Sequence, residues 1–253
     1  MDKIKYIQIY GERNSGTNFL HKTLEDNLID PPTIGYEYGW KHGFTNRGKI
    51  KKSNINEILF ICVFKDPYAW ISSMHEKPHH APQLYFMDFS DFIREEWVCY
   101  KGKNYQKRAE NLINDPVLPE QEMMQERHPI TKKRFESVVH VRNTKNQYFL
   151  RLPLFAKHVI YLQYENFYLD PAESLSKFLT PYNLSFKENF KVSKAYHGKS
   201  KKLTWDKKLF YQEKRYLEKY SEEDLAYVNS ILDFRQEKKL GYSIVENLKK
   251  VEI

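Results

Sequence analysis

One stretch narrows the possible folds more than any other. Gly11-Glu12-Arg13-Asn14-Ser15-Gly16-Thr17 sets four residues between two glycines. Before it runs a short segment, Lys5 to Tyr10, with apolar side chains at Tyr6, Ile7 and Ile9. After it, Leu20, Leu24 and Leu28 recur at i, i+4, i+8. Strand, glycine loop and helix in that order predict a phosphate loop (P-loop), in which successive backbone N–H groups and a helix N-terminus face one anion. The lysine that a nucleoside-triphosphatase carries after the second glycine is missing; Thr17 stands there and Asn18 follows. Such a loop can hold an anion but is poorly equipped to clamp a γ-phosphate and its magnesium. The unliganded alternative is a tight strand-to-helix turn.

The rest of the pattern extends the same architecture. The predicted helix runs from Thr17 to Ile29, and Pro31-Pro32 stops it. Glu57 to Phe64 is a continuous apolar run, as expected of a strand covered on both faces of a parallel sheet. Asp66 suits an N-cap and Pro67 a first helical position, which starts a helix running to about Lys77. Residues 88–101 read as helical and 102–135 as irregular. A helix from Thr144 to Phe155 precedes a third strand, His158 to Tyr164. Another helix opens near Asp170-Pro171. Residues 187–208 read as a basic loop. Helices from Asp206 to Tyr220 and from Ser221 to Phe234 close the chain, Ser221 and Asp224 forming a capping box. Strands alternating with helices predict an α/β fold, a P-loop-type parallel β-sheet flanked by helices on both faces. At 253 residues the chain reads as one domain, 1–253, with 78–135 as a variable insertion on the acceptor side.

Composition removes several classes. An apolar fraction of 41% with 29% charged residues excludes a disordered or collagen-like chain. The longest apolar run, Ile58 to Phe64, is far short of the about 20 residues a transmembrane helix needs, so no membrane span is expected. No signal peptide is visible, and two cysteines, Cys62 and Cys99, cannot build a disulfide framework or a four-cysteine zinc site. The expectation is a reduced, cytoplasmic protein without structural metal. Lys plus Arg outnumber Asp plus Glu by 41 to 33, a net +8 that suits an anionic partner. The aromatic residues are spread evenly rather than interleaved with a basic stripe, which favours core packing over base stacking.

A second constellation is Lys65-Asp66-Pro67-Tyr68-Ala69-Trp70-Ile71-Ser72-Ser73. A cation at the carboxyl end of a central strand and a hydroxyl two turns into the next helix can meet at one anion, and ligands of open parallel sheets bind at that edge. Alone, a strand-end lysine is more often simply solvated.

Together these residues resemble the sulfotransferases that use 3′-phosphoadenosine 5′-phosphosulfate (PAPS). In that family a loop with a basic residue followed by Ser-Gly-Thr binds the 5′-phosphosulfate; here it is Arg13-Asn14-Ser15-Gly16-Thr17-Asn18. A strand-end basic residue and a serine eight positions on bind the 3′-phosphate; Lys65 and Ser73 have that spacing. Trp40-Lys41-His42 resembles the segment that carries the catalytic base. The likeness continues through Tyr164-Glu165-Asn166, Asp170-Pro171 and Lys239-Leu240-Gly241-Tyr242, and its tone is closer to bacterial or viral glycan-type enzymes than to animal cytosolic ones. Two departures stand out. The animal cytosolic enzymes carry a lysine where this chain has Asn14, which leaves Arg13, Lys22 or Lys41 to supply the cation at the transferring group. The 3′-phosphate residue, usually Arg, is Lys65, a point charge in place of a bidentate fork.

The resemblance implies transfer of a sulfuryl group from PAPS to a hydroxyl acceptor, a saccharide among the candidates, releasing 3′-phosphoadenosine 5′-phosphate (PAP) without a metal. The nucleotide co-substrate and the acceptor are the expected partners; nucleic acid is not. His42 is the expected general base, because an imidazole titrates near neutrality. Arg13 and Lys41 are the expected catalytic cations. The rival readings are a P-loop small-molecule kinase, which would turn over ATP, and a basic nucleic-acid-binding protein, which would bind generic DNA or RNA with steep salt dependence. His75 and His79 have i, i+4 spacing, but Pro78 intervenes and no carboxylate completes a zinc set. Lys199-Ser200-Lys201-Lys202 is either a solvated loop or, by the resemblance, a cover over the 3′-phosphate.

Overall fold

The computed structural model describes residues 3–192 and 205–248. They divide into two compact units, Met1–Asp66 with Tyr148–Gln212 and Pro67–Gln147 with Glu213–Ile253.

The first unit holds the sheet. Strands β1 (Tyr6–Tyr10), β2 (Thr33–Gly35), β3 (Ile58–Phe64) and β4 (His158–Gln163) pair in the order β2-β1-β3-β4, every pairing parallel. β1 lies against β3 from Tyr6 opposite Ile58 to Tyr10 opposite Cys62. All seven residues of β3 are buried, as a central strand's must be. Ile7, Ile9, Leu59 and Ile61 form the middle of this core. Helix α1 (Thr17–Asn27) buries Leu20 and Leu24 against it, so the leucine spacing has its expected consequence. The short helix α2 (Arg47–Lys51) is capped by the Asn46 side chain, which accepts from the Lys49 N–H. After β4 the chain enters two helices, α7 (Tyr164–Leu169) and α8 (Pro171–Leu179). Asp170 caps α8 by accepting from Glu173 N–H at 3.0 Å. Helix α9 (Trp205–Gln212) completes the unit.

Because all four strands run the same way, their carboxyl ends share one edge. The residues that follow those ends are therefore Gly11, Tyr36, Lys65 and Tyr164.

The second unit is helical. It contains α3 (Pro67–Glu76), α4 (Phe89–Arg94), α5 (Tyr105–Ala109), α10 (Glu222–Ile231) and α11 (Phe234–Lys239); α6 (Val138–Leu150) begins there and ends in the first unit. Two buried ion pairs hold it. Arg142 donates to Glu237 from Nε at 2.6 Å and from Nη2 at 2.8 Å, and Lys145 Nζ donates to Glu126 at 2.8 Å. The segment 78–135 is organised around Glu122, which accepts from both Arg127 and Arg134. Those two guanidiniums hold the Glu122 carboxyl down at about 2. Ser221 and Asp224 form the expected capping box at α10. The expected helix over 88–101 is shorter. After Arg94 the chain turns extended, and Trp97 bridges Phe135 while Tyr100 bridges Glu122. The run Trp97-Val98-Cys99-Tyr100, aromatic and β-branched, favours that conformation.

Among the described residues, no helix is long and apolar enough to cross a membrane.

Candidate functional site

The Gly11–Thr17 loop is built on close approaches that only glycine permits. A Cβ at Gly11 would lie 2.7 Å from the Val63 carbonyl oxygen and 2.7 Å from Ser15 Oγ. Gly16 has φ +90°, and a Cβ there would sit 2.3 Å from the Tyr164 ring. Asn14 takes the left-handed conformation at φ +60°, which asparagine tolerates better than most residues. Ser15 closes the turn: its N–H donates to the Glu12 carbonyl at 3.2 Å and its hydroxyl to the same oxygen at 2.6 Å. Helix α1 then starts at Thr17, with Gly16 as its N-cap and no side chain capping it. The first-turn N–H groups of an α-helix have no partner within the helix, and the partial positive charge there favours an anion.

Arg13 departs from expectation. A loop cation is expected to be exposed; Arg13 is 1% exposed. Its guanidinium lies 5.0 Å from the centroid of the Trp40 ring, and Nη1 is 3.7 Å from the buried Glu12 carboxylate. Its substitution therefore bears on folding as well as on any anion. Arg13→Ala is expected to destabilise the protein by about 2–4 kcal/mol, since it leaves Glu12 buried without its neighbour and Trp40 without its cation. Urea denaturation measures this, and a loss under about 0.5 kcal/mol would return Arg13 to the role of an accessible loop cation.

Lys41 and His42 reach the loop instead. The segment Trp40-Lys41-His42-Gly43 is tied to the strand end because Gly11 N–H donates to the Lys41 carbonyl at 3.0 Å. Lys41 Nζ donates to Asn18 Oδ1 in the first turn of α1. Its ammonium lies 5.3 Å from the Tyr36 ring centroid. Burial pushes the Lys41 pKa below the ordinary lysine value. His42 Nδ1 is 2.7 Å from the Gly11 carbonyl oxygen. A carbonyl only accepts, so Nδ1 carries the proton and the neutral ring has its basic lone pair on Nε2. Lys22, the third candidate cation, is ion-paired with Asp26 at 2.6 Å on its own helix.

Lys65 is buried at the end of β3. Its Nζ lies 5.1 Å from the ring centroids of both Tyr164 and Tyr211. Tyr164 is the same ring that fills the space beside Gly16. Burial raises the pKa values of Tyr164 and Tyr211, so both are neutral phenols presenting π-faces to the ammonium. Glu165 braces the turn after β3 by accepting from Asp66 N–H at 2.9 Å. Ser73 belongs to the second unit, where its hydroxyl donates to the Ala69 carbonyl at 2.9 Å within α3.

The first unit thus brings together the loop residues Arg13, Asn14, Ser15, Gly16, Thr17 and Asn18 with Lys41 and His42. Sequence reasoning passed over two aromatics beside these cations, Tyr36 on Lys41 and Tyr211 on Lys65, and gave Trp40 no tie to Arg13; no spacing rule points to these contacts, because each aromatic arrives from a different element. His79 lies beyond the end of α3, and His75 Nε2 donates to the Met87 carbonyl at 2.8 Å. Among the described residues, no group of three His, Cys, Asp or Glu could hold a metal ion. Lys199-Ser200-Lys201-Lys202 lies outside the described residues.

No protein-family model matches the chain, and no curated protein matches it.

Proposed function

We propose that the protein is a sulfotransferase that moves a sulfuryl group from PAPS to a hydroxyl acceptor. The observation that carries the reading is that Lys41 and His42, adjacent in sequence, dock on the two ends of the loop segment, Lys41 on Asn18 in the first turn of α1 and His42 on Gly11. A cation and an oriented imidazole at an anion-binding turn are what sulfuryl transfer asks of a protein, and the residue that would mark a nucleoside-triphosphatase is replaced by the buried Thr17.

In this reading the Ser15–Asn18 amides and Lys41 neutralise the 5′-phosphosulfate. The acceptor oxygen attacks sulfur in line, and the bond from sulfur to the bridging oxygen breaks. The electron pair leaves on the 5′-phosphate of PAP, stabilised by the same donors. The acceptor's proton passes to His42 Nε2, the nitrogen left basic by the Gly11 contact. Lys65, at the carboxyl end of β3, takes the 3′-phosphate. A saccharide hydroxyl fits as acceptor by the resemblance to glycan-type enzymes, and two buried cysteines that form no disulfide suit a reducing cytoplasm.

Calorimetry with PAP, AMP and ATP tests the reading. A charge-assisted contact in a desolvated site is worth about 1.5–3 kcal/mol, so PAP is expected to bind roughly tenfold or more tighter than AMP. Equal affinity for PAP and AMP sinks the 3′-phosphate assignment. Preference for ATP with turnover supports the kinase instead.

A further inference from the structure

A chain of contacts on the outer side of α1 leads to Lys41 and has no part in the scheme above. Glu25 Oε1 is 3.0 Å from His21 Nε2, and His21 Nδ1 is 2.9 Å from the Tyr36 hydroxyl. A carboxylate only accepts, so Nε2 carries a proton; in the neutral ring Nδ1 must then accept, and the Tyr36 O–H donates to it. The Tyr36 hydroxyl is thereby fixed at one end, and the face of its ring is turned to the Lys41 ammonium, 5.3 Å from the centroid. Tyr36 follows directly on β2, and His21 stands one turn along α1 from Asn18, the residue that accepts from Lys41.

We propose that Tyr36 is a positioning residue for Lys41, its ring face holding the ammonium charged at the first turn of α1 and the His21–Glu25 pair orienting that ring. The inference rests on the reading of the loop as an anion site, since that is where the held charge acts.

The physical need is clear. Lys41 is half-buried, and burial favours loss of its proton. A lysine that must meet an anion needs an opposing influence, and a π-face supplies one without neutralising the charge as a carboxylate would. The other titratable groups on the surrounding elements are committed elsewhere or alike in sign. Lys22 is paired with Asp26, and Glu25 with His21. Glu37 beyond β2 lies 3.7 Å from Lys49, and His42 is bound to the Gly11 carbonyl. Arg13 is set against Trp40.

The test is NMR titration of the full chain labelled with 13C at lysine Cε, the Lys41 signal being assigned by Lys41→Arg. Wild type is compared with Tyr36→Leu and Tyr36→Phe. Leucine keeps most of the apolar bulk, and so most of the burial, but removes the π-face. It is expected to lower the Lys41 midpoint by about half a pH unit to one pH unit. Phenylalanine, which keeps the ring but loses the bond to His21, is expected to fall between the two. An unchanged or raised midpoint in Tyr36→Leu overturns the proposal, the latter because Tyr36 would then act only by covering the lysine. A wild-type midpoint in Tyr36→Phe removes the His21–Glu25 part.

PAP binding followed against pH separates this from the parent reading. The alkaline fall in affinity is expected to move down with the Lys41 midpoint in Tyr36→Leu. If wild type binds no PAP at all, the sulfotransferase reading fails while the titration still decides the role of Tyr36.

Discussion

His42→Asn is expected to lower sulfuryl transfer by a factor on the order of 10²–10⁴, the usual worth of a positioned general base. Asparagine is the informative replacement. Its amide can still donate to the Gly11 carbonyl, which His42 Nδ1 meets at 2.7 Å, so the strand end keeps its contact. What it cannot do is take a proton at the position of Nε2. His42→Ala loses both the base and the contact, and a comparison of the two divides catalysis from loop support. PAP affinity is expected to stay within a few-fold of wild type in His42→Asn, because the proposed mechanism turns the base toward the acceptor and not the nucleotide. Transfer retained within a few-fold of wild type would take His42 out of the mechanism. Lost PAP binding would make it a nucleotide or structural residue.

Gly16→Ala is expected to cost about 2–6 kcal/mol of stability. Two penalties add. A non-glycine residue at φ +90° carries about 1–3 kcal/mol of backbone strain. The new methyl would also stand 2.3 Å from the ring of Tyr164, which is itself packed against Tyr211 at 5.6 Å and near Lys65. Overpacking of that kind costs about 1–3 kcal/mol more. A double-mutant cycle with Tyr164→Ala separates the two: the steric part is relieved in the double variant and the strain is not. Chemical denaturation reads the result. A loss below about 1 kcal/mol for Gly16→Ala would mean that the loop adopts another conformation.

The two predictions draw on features of different legibility. The glycine loop, the leucine repeat of α1, the apolar β3 and the Asp170 and Ser221 caps are all local. Each is a pattern within one or two helical turns or one strand, and sequence patterns of that range set local structure. Strand β2 leaves no trace in the sequence pattern, because three residues at a sheet edge carry almost no period. The sequence pattern predicts α6 from Thr144, whereas the helix begins at Val138. Arg142 and Lys145 interrupt its apolar pattern; they are buried all the same, because Glu237 and Glu126 meet them from distant parts of the chain. Charged residues on a buried face read as a solvated face until their partners are known.

The same division runs through the candidate site. By itself the sequence determined that a glycine loop lies between a strand and a helix, that the sheet is parallel, and that Lys65 ends a buried strand. Those follow from glycine spacing, hydrophobic period and chain order, which act over short range. Only the tertiary structure decided what each cation does. It buried Arg13 beneath Trp40, laid Lys65 between Tyr164 and Tyr211, and brought Lys41 to Asn18 with Tyr36 beside it. A side chain's charge is written in the sequence, but its desolvation and its neighbours come from elements far apart in the chain. Those neighbours decide whether a lysine or arginine is a structural brace or a group ready to meet an anion.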